Sequence, residues 1–374
     1  MGVRRRFGKA ALCAVLLLAG ARSGASTVWE PIARLSLAGG YDSNVRYDGA
    51  SSDRMTRVSP EAGVRLRDHL WDARLVYGAD WIAYERLAPD GIWNHRGRFD
   101  LEANPTRRLE LQASLRAAWA FDPVGLAQFG VFQTGRDSAL LLSGRARAEY
   151  RASRRADVAA TFRERTVLFE DETGGAMHAP GVEALWRASR RLSVGVAYGL
   201  GLFQDFDPEG DELAFSHAAR ARARWRASRR LAVEAYAGPA LWIAADGDTA
   251  IVPEAAVELL GSSRAWDLRA ELSHGLGIGA TAQPGLVDMV EVGMVRRIGH
   301  RVVLRGDGGL WRSGTIPSGG GAVTGYAVGG EAGVLVGMNL RLAAGARHLA
   351  RLDDAPELRR TIMGLTLGWE LSAR

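Results

Sequence analysis

Most of the chain alternates apolar and polar residues with a period of two, the pattern of strands that hide one face. From Leu109 to Phe121, Leu109, Leu111, Ala113, Leu115, Ala117, Trp119 and Phe121 share one side, opposed by Glu110, Gln112, Ser114 and Arg116. Phe215 to Arg226 sets Phe215, His217, Ala219, Ala221, Ala223 and Trp225 against Ser216, Arg220, Arg222, Arg224 and Arg226. Val58, Pro60, Ala62, Val64 and Leu66 oppose Glu61, Arg65 and Arg67, and Met363, Leu365, Leu367, Trp369 and Leu371 form the last apolar face. These runs are about 9 to 13 residues long, the length a tilted membrane strand requires.

RASRR occurs at 151–155, 187–191 and 226–230, with related turns at 104–108, 261–264 and 296–301. Each interval holds two long strands, one short turn and one longer polar loop. A propeller of similar period needs four short strands per repeat, and a sandwich uses strands of about 5 to 6 residues. Long strands, apolar on one side and joined by alternately short and long connections, predict a closed antiparallel transmembrane β-barrel. Closure follows because a sheet in lipid must pair every backbone N–H and C=O internally. Short turns near 68, 106, 153, 189, 228, 262, 299 and 338 separate loops at 43–54, 85–94, 122–137, 164–176, 204–214, 245–250, 279–287, 312–322 and 350–358. This predicts about 18 strands with both termini on the periplasmic side. Sixteen is the alternative, because 285–312 alternates least clearly, and the alternation also breaks at Arg163, Glu164 and Arg165.

Tryptophan supports the same architecture. Trp71, Trp186, Trp225 and Trp266 adjoin short turns and Trp369 lies near the C-terminus, whereas Trp81, Trp93 and Trp119 lie near longer loops. Two interfacial girdles are expected from this distribution.

The other face of the strands predicts the pore lining: Arg98, Arg116, Arg145, Arg147, Arg220, Arg222 and Arg224, then Glu234, Glu254, Glu258 and Glu271, interrupted by Arg269. Segregated basic and acidic arcs would set a transverse field across the channel, whereas cross-strand pairs would neutralise one another on a wetted wall. Tyr236 and Trp242, with Phe203, phase inward, either to stack on sugars or to fill a constriction. Arg154, Arg155, Arg190, Arg191, Arg229 and Arg230 form either a basic collar for an anionic substrate or periplasmic partner, or contacts to lipid phosphates.

Composition enters with 48 Lys+Arg against 42 Asp+Glu, a charge of +6 that by itself suggests nucleic acid. Arg4, Arg5, Arg6 and Lys9 precede an apolar run from Ala10 to Ala21 and small residues at Ser23 to Ser26, the layout of a secretory signal peptide. The expected organisation is a signal peptide over 1–25 and a single outer-membrane barrel domain over 26–374. Loss of the first segment leaves 43 cations and 42 acids. Nucleic acid is therefore not an expected partner, and outer-membrane lipids are the expected surroundings. Cys13, the only cysteine, lies in that segment, which leaves no disulfide or thiolate site afterwards. The seven histidines show no metal spacing, and the acidic loop from Asp205 carries Ser216 where a calcium loop needs a bidentate Glu. No nucleophile motif stands out, so no catalytic residue, cofactor or metal is expected.

GYDSNV at 40–45 ends the first strand. It resembles the opening of Gram-negative outer-membrane barrels linked to exopolysaccharide or capsule export, and the chain's size and strand number are similar to the myxobacterial type. The resemblance implies a conduit for a polysaccharide substrate and a periplasmic polysaccharide-export protein as partner, with no catalytic residue to carry over. On the residues themselves, a diffusion porin for small polar solutes and a structural or adhesive barrel remain open.

Overall fold

The computed structural model describes residues 27–45, 51–120, 138–207, 210, 212–279, 282–314, 316, 322–337, 339–352 and 359–372. The first six strands are β1 (Val28–Asp42), β2 (Asp53–Arg67), β3 (Trp71–Tyr84), β4 (Ala88–Thr106), β5 (Leu109–Ala120) and β6 (Ala139–Arg151). Next come β7 (Ala156–Phe169), β8 (Gly174–Arg187), β9 (Leu192–Phe206), β10 (Glu212–Arg226), β11 (Leu231–Ile243) and β12 (Thr249–Ser262). The last six are β13 (Trp266–Ile278), β14 (Pro284–Ile298), β15 (Val302–Gly314), β16 (Val323–Leu335), β17 (Leu340–Arg351) and β18 (Arg360–Ser372).

Each strand pairs antiparallel with its sequence neighbours, and β1 also pairs with β18, from Ile32 opposite Ser372 to Asp42 opposite Ile362. The 18-stranded sheet thus closes on itself and leaves no edge. A strand of about 13 residues tilted by about 40° rises roughly 33 Å, enough to cross the apolar band of an outer membrane.

Eighteen, not sixteen, is the strand count, because β14 and β15 run unbroken through the weakly alternating stretch. Several loops are shorter than the sequence pattern suggested, among them 204–214, which reduces to 207–211, and 279–287, which reduces to 279–283. The one at 85–94 reduces to 85–87, since β4 begins at Ala88 and Trp93 pairs opposite Trp81. The one at 164–176 reduces to 170–173. Arg163 and Arg165 stay on the inner face of β7, and Glu164 points outward, where it contacts His178 and accepts a hydrogen bond of 2.6 Å from Thr166 Oγ1. A polar residue on the outer face hid the alternation there. The expected signal segment and the loop at 122–137 lie outside the described residues.

The outer face is apolar and uncovered. Leu37, Val196, Leu272 and Leu365 are 46%, 65%, 57% and 62% exposed, which in water would forfeit about 25 cal/mol for each Å² of apolar surface left unburied. Lipid removes that cost. With Tyr77 and Tyr198 at mid-strand, Trp29, Trp186, Trp225 and Trp369 are exposed at the short-turn end and Tyr41 and Trp93 toward the other. These are the two girdles. Outward histidines are satisfied by neighbours in the sheet: His95 Nδ1 lies 2.7 Å from Tyr77 OH, His217 Nδ1 2.6 Å from Tyr198 OH, and His274 Nδ1 2.6 Å from Asp288.

The repeated RASRR is a turn device. Ser153 Oγ accepts hydrogen bonds from the amides of Arg155 and Ala156 at 3.1 and 3.0 Å, and Ser153 N–H donates to the Ala156 carbonyl at 3.1 Å. Ser189 does the same for Arg191 and Leu192, Ser263 for Ala265 and Trp266, and Thr106 for Arg108 and Leu109. A hydroxyl at this position satisfies two amides that a tight turn leaves unpaired.

GYDSNV also has a structural role, at the long-loop end of the β1–β18 seam. Asp42, Asn44, Tyr84 and Arg360 are all buried there. Arg360 Nε donates to both Asp42 oxygens at 2.9 and 3.0 Å, and Tyr84 OH donates to Asp42 at 3.0 Å. Asn44 Nδ2 donates to the Arg359 carbonyl at 3.0 Å, and Ser43 N–H to that of Thr361 at 2.9 Å. The motif locks the last strand to the first and third.

Candidate functional site: the barrel lumen

Strand alternation puts every residue expected to line the pore on the inner face, and two contrasting walls result. The first runs from β4 to β13 and is dense with charge. Arg147 on β6 pairs with Glu149 at 2.7 Å, and Arg224 on β10 with Glu234 at 2.8 Å. Arg220 pairs with Glu254 at 2.5 Å, and its guanidinium lies 5.3 Å from the centre of the Tyr236 ring. On β13, Arg269 holds Glu258 and Glu271 at 2.8 and 2.9 Å. Arg145 donates to Ser114 Oγ at 3.2 Å, and Arg98 on β4 pairs with Asp100 at 2.6 Å. Arg116 is within electrostatic reach of Arg98, Arg145 and Arg269. Since β5 and β13 stand eight strands apart around the ring, that reach crosses the lumen.

The sequence pattern did not single out Glu183. It is 4% exposed on the inner face of β8 and forms ion pairs with both Arg147 and Arg222, joining β6, β8 and β10. Arg222 also reaches Glu234 at 3.6 Å. The signal was available in Val182, Ala184 and Trp186, whose outward phase fixes Glu183 inward. The signs meet where Arg224 stands opposite Glu234 and where Arg269 holds Glu258 and Glu271. Each sign also forms rows of its own: Glu234, Glu258, Glu271 and Glu291 stand opposite one another from β11 to β14, as Arg98 does to Arg116 and Arg145 to Arg163.

At the long-loop end this half of the lumen is apolar. Leu141 on β6 and Val167 and Phe169 on β7 pack against Ile278 and Ala282, which end β13 and follow it. Beside them Phe203 and Trp242 meet edge to face, centroids 5.0 Å apart, over Met177 and Leu276. Side chains from β6 to β9 thus touch those from β13 across the barrel. Trp242 is only 6% exposed and fills space against Phe203, whereas Tyr236 is half-buried with the Arg220 guanidinium over its ring.

The second wall, from β16 through β18 to β2, is lined by small residues. Gly364 stands opposite Gly40 and Gly345, Gly368 opposite Ser36, and Ser36 opposite Ser59. Gly329 and Gly333 continue the row on β16. Such residues hold the backbone ladder while projecting little into the lumen. Charges flank these small residues on the same and adjoining strands: Arg341 pairs with Glu331, Arg347 with Asp307, Arg34 with Glu61 and Glu370 at 3.5 and 2.6 Å, and Arg65 with Asp72 at 2.5 Å. Arg57 stands on the inner face of β2 opposite Ala38.

No group of three or more His, Cys, Asp or Glu that could hold a metal occurs among the described residues. A closed, edge-free barrel with a lipid-facing apolar belt between two aromatic girdles defines an outer-membrane β-barrel protein. No family model matches the sequence, and no curated protein matches it. Among solved structures the chain is similar to the outer membrane protein OpdK of Pseudomonas aeruginosa, at 10% identity over 92% of this chain and 99% of that one, with a TM-score of 0.40. OccAB4 of Acinetobacter baumannii gives 8% identity over 92% and 98%, with a TM-score of 0.43. The FrpB iron transporter of Neisseria meningitidis gives 11% over 95% and 69%, with a TM-score of 0.42.

Proposed function

We propose that this protein is an outer-membrane channel through which small polar solutes diffuse. The contrast between the walls carries the reading. Ion pairs hold one wall in place, and the apolar contacts above it close that side, while the glycine- and serine-lined wall keeps a hydrated strip beside it. Solutes pass along the small residues, with Arg98, Arg116, Arg145, Arg147, Arg220, Arg222, Arg224 and Arg269 facing them across the lumen and Glu234, Glu254, Glu258 and Glu271 offsetting their charge. Export of a polysaccharide would have to proceed without ring stacking on Trp242, which is buried against Phe203 and fills space there.

Purified protein in a planar bilayer is expected to give steady ohmic conductance steps with no partner added. Silent membranes, together with loss of surface polysaccharide on deletion of the gene, would instead favour export coupled to a periplasmic polysaccharide-export protein.

A further inference from the structure

Charge at the short-turn mouth follows a different rule from charge inside the lumen. Between β5 and β10 the inner wall and two RASRR turns enclose a cavity of about 830 Å³, lined by nine arginines and three carboxylates. The deeper cations are matched: Arg147 by Glu149 and Glu183, Arg187 by Asp157 at 3.0 Å, and Arg224 by Glu234. Five at the rim are not. Arg154, Arg155, Arg190, Arg191 and Arg226 line the cavity with no ion-pair partner among the described residues.

Like charges converging on one cavity repel, and a counter-charge that enters relieves all of them together. Guanidinium groups also present planar forks that match the oxygens of phosphate or carboxylate. The serine-anchored turns fix the bases of four of these side chains, which lowers the ordering cost of gathering them around one ligand. We propose that this mouth is a binding site for a soluble polyvalent anion, one bearing several phosphate or carboxylate groups, taken up from the periplasmic side. The site does not depend on whether the lumen conducts. Anionic lipid headgroups share the same chemistry, and the test separates the two sources.

Inorganic tripolyphosphate serves as the probe, titrated calorimetrically into the folded full-length barrel in nanodiscs of neutral phosphatidylcholine. Saturable binding that weakens as salt rises is expected. Replacing Arg154, Arg155, Arg190 and Arg191 together by Gln should weaken it at least ten-fold. R229Q/R230Q alters the same motif in the next turn, whose arginines do not line the cavity, and should leave affinity within two-fold. Retention of the heat-modifiable gel shift checks that each variant is folded; if the four-fold variant is not, R154Q/R155Q and R190Q/R191Q, made separately, should each weaken binding measurably. The proposal is overturned by absence of binding to the wild type, by equal loss in R229Q/R230Q, or by wild-type affinity in the cavity variants. Nanodiscs containing phosphatidylglycerol complete the test: tripolyphosphate should still bind, whereas its exclusion would assign the arginines to lipid.

Discussion

Asp42→Ala is expected to destabilise the barrel by about 3 to 5 kcal/mol, the usual cost of stranding one partner of a buried ion pair. Arg360 has no exposed surface to which it can retreat, and Asp42 is the carboxylate that its guanidinium holds. The loss falls on the seam, where β18 must find β1 across nearly the whole length of the chain. Urea titration followed by the gel shift of unheated samples reads the effect directly. Asp42→Leu combined with Arg360→Met should recover much of the loss, because apolar replacement of both partners removes the uncompensated charge. A midpoint for Asp42→Ala equal to that of the wild type would mean that the motif does not lock the seam.

Glu183→Gln is expected to move ion selectivity more than fold. It removes the one carboxylate shared by Arg147 and Arg222, yet leaves each with a second partner, Glu149 and Glu234. One uncompensated charge about 15 Å from an ion passing along the opposite wall is worth about 0.3 kcal/mol in water at low salt, and its opposite action on anion and cation changes their permeability ratio about two-fold. Reversal potentials in a dilute potassium chloride gradient should therefore shift toward chloride. An unchanged ratio would mean that the Glu183 charge does not reach the permeation path.

The sequence was most legible where physics is local. Period-two alternation, Ser- and Thr-anchored turns and interfacial tryptophans depend on neighbours a few residues apart, and they located eighteen strands and both girdles. Glu164 misled because a polar residue can face lipid when His178 and Thr166 satisfy it, which is a cross-strand fact. Inner-face membership could be read residue by residue, from Arg98 to Glu271. Partnership could not, since the Glu183 network joins strands whose register no single stretch encodes. The inward aromatics show the same limit: phase put Trp242 in the lumen, but only contact with Phe203 reveals that its ring is occupied. GYDSNV was read through resemblance, and its chemistry proved to be closure, because Asp42 meets Arg360 from 318 residues away.

Solutes are proposed to pass beside the small-residue wall, and labelling of single thiols tests this directly. Cys13 is the only cysteine in the chain, so single thiols can be placed cleanly once it is absent. Ser36→Cys lies on the inner face of β1 and Leu37→Cys on its lipid face. Treatment of each with a charged, water-soluble thiosulfonate during bilayer recording should step the current down in Ser36→Cys and leave Leu37→Cys unchanged. Rapid modification of Leu37→Cys, or full modification of Ser36→Cys with no change in current, would contradict it.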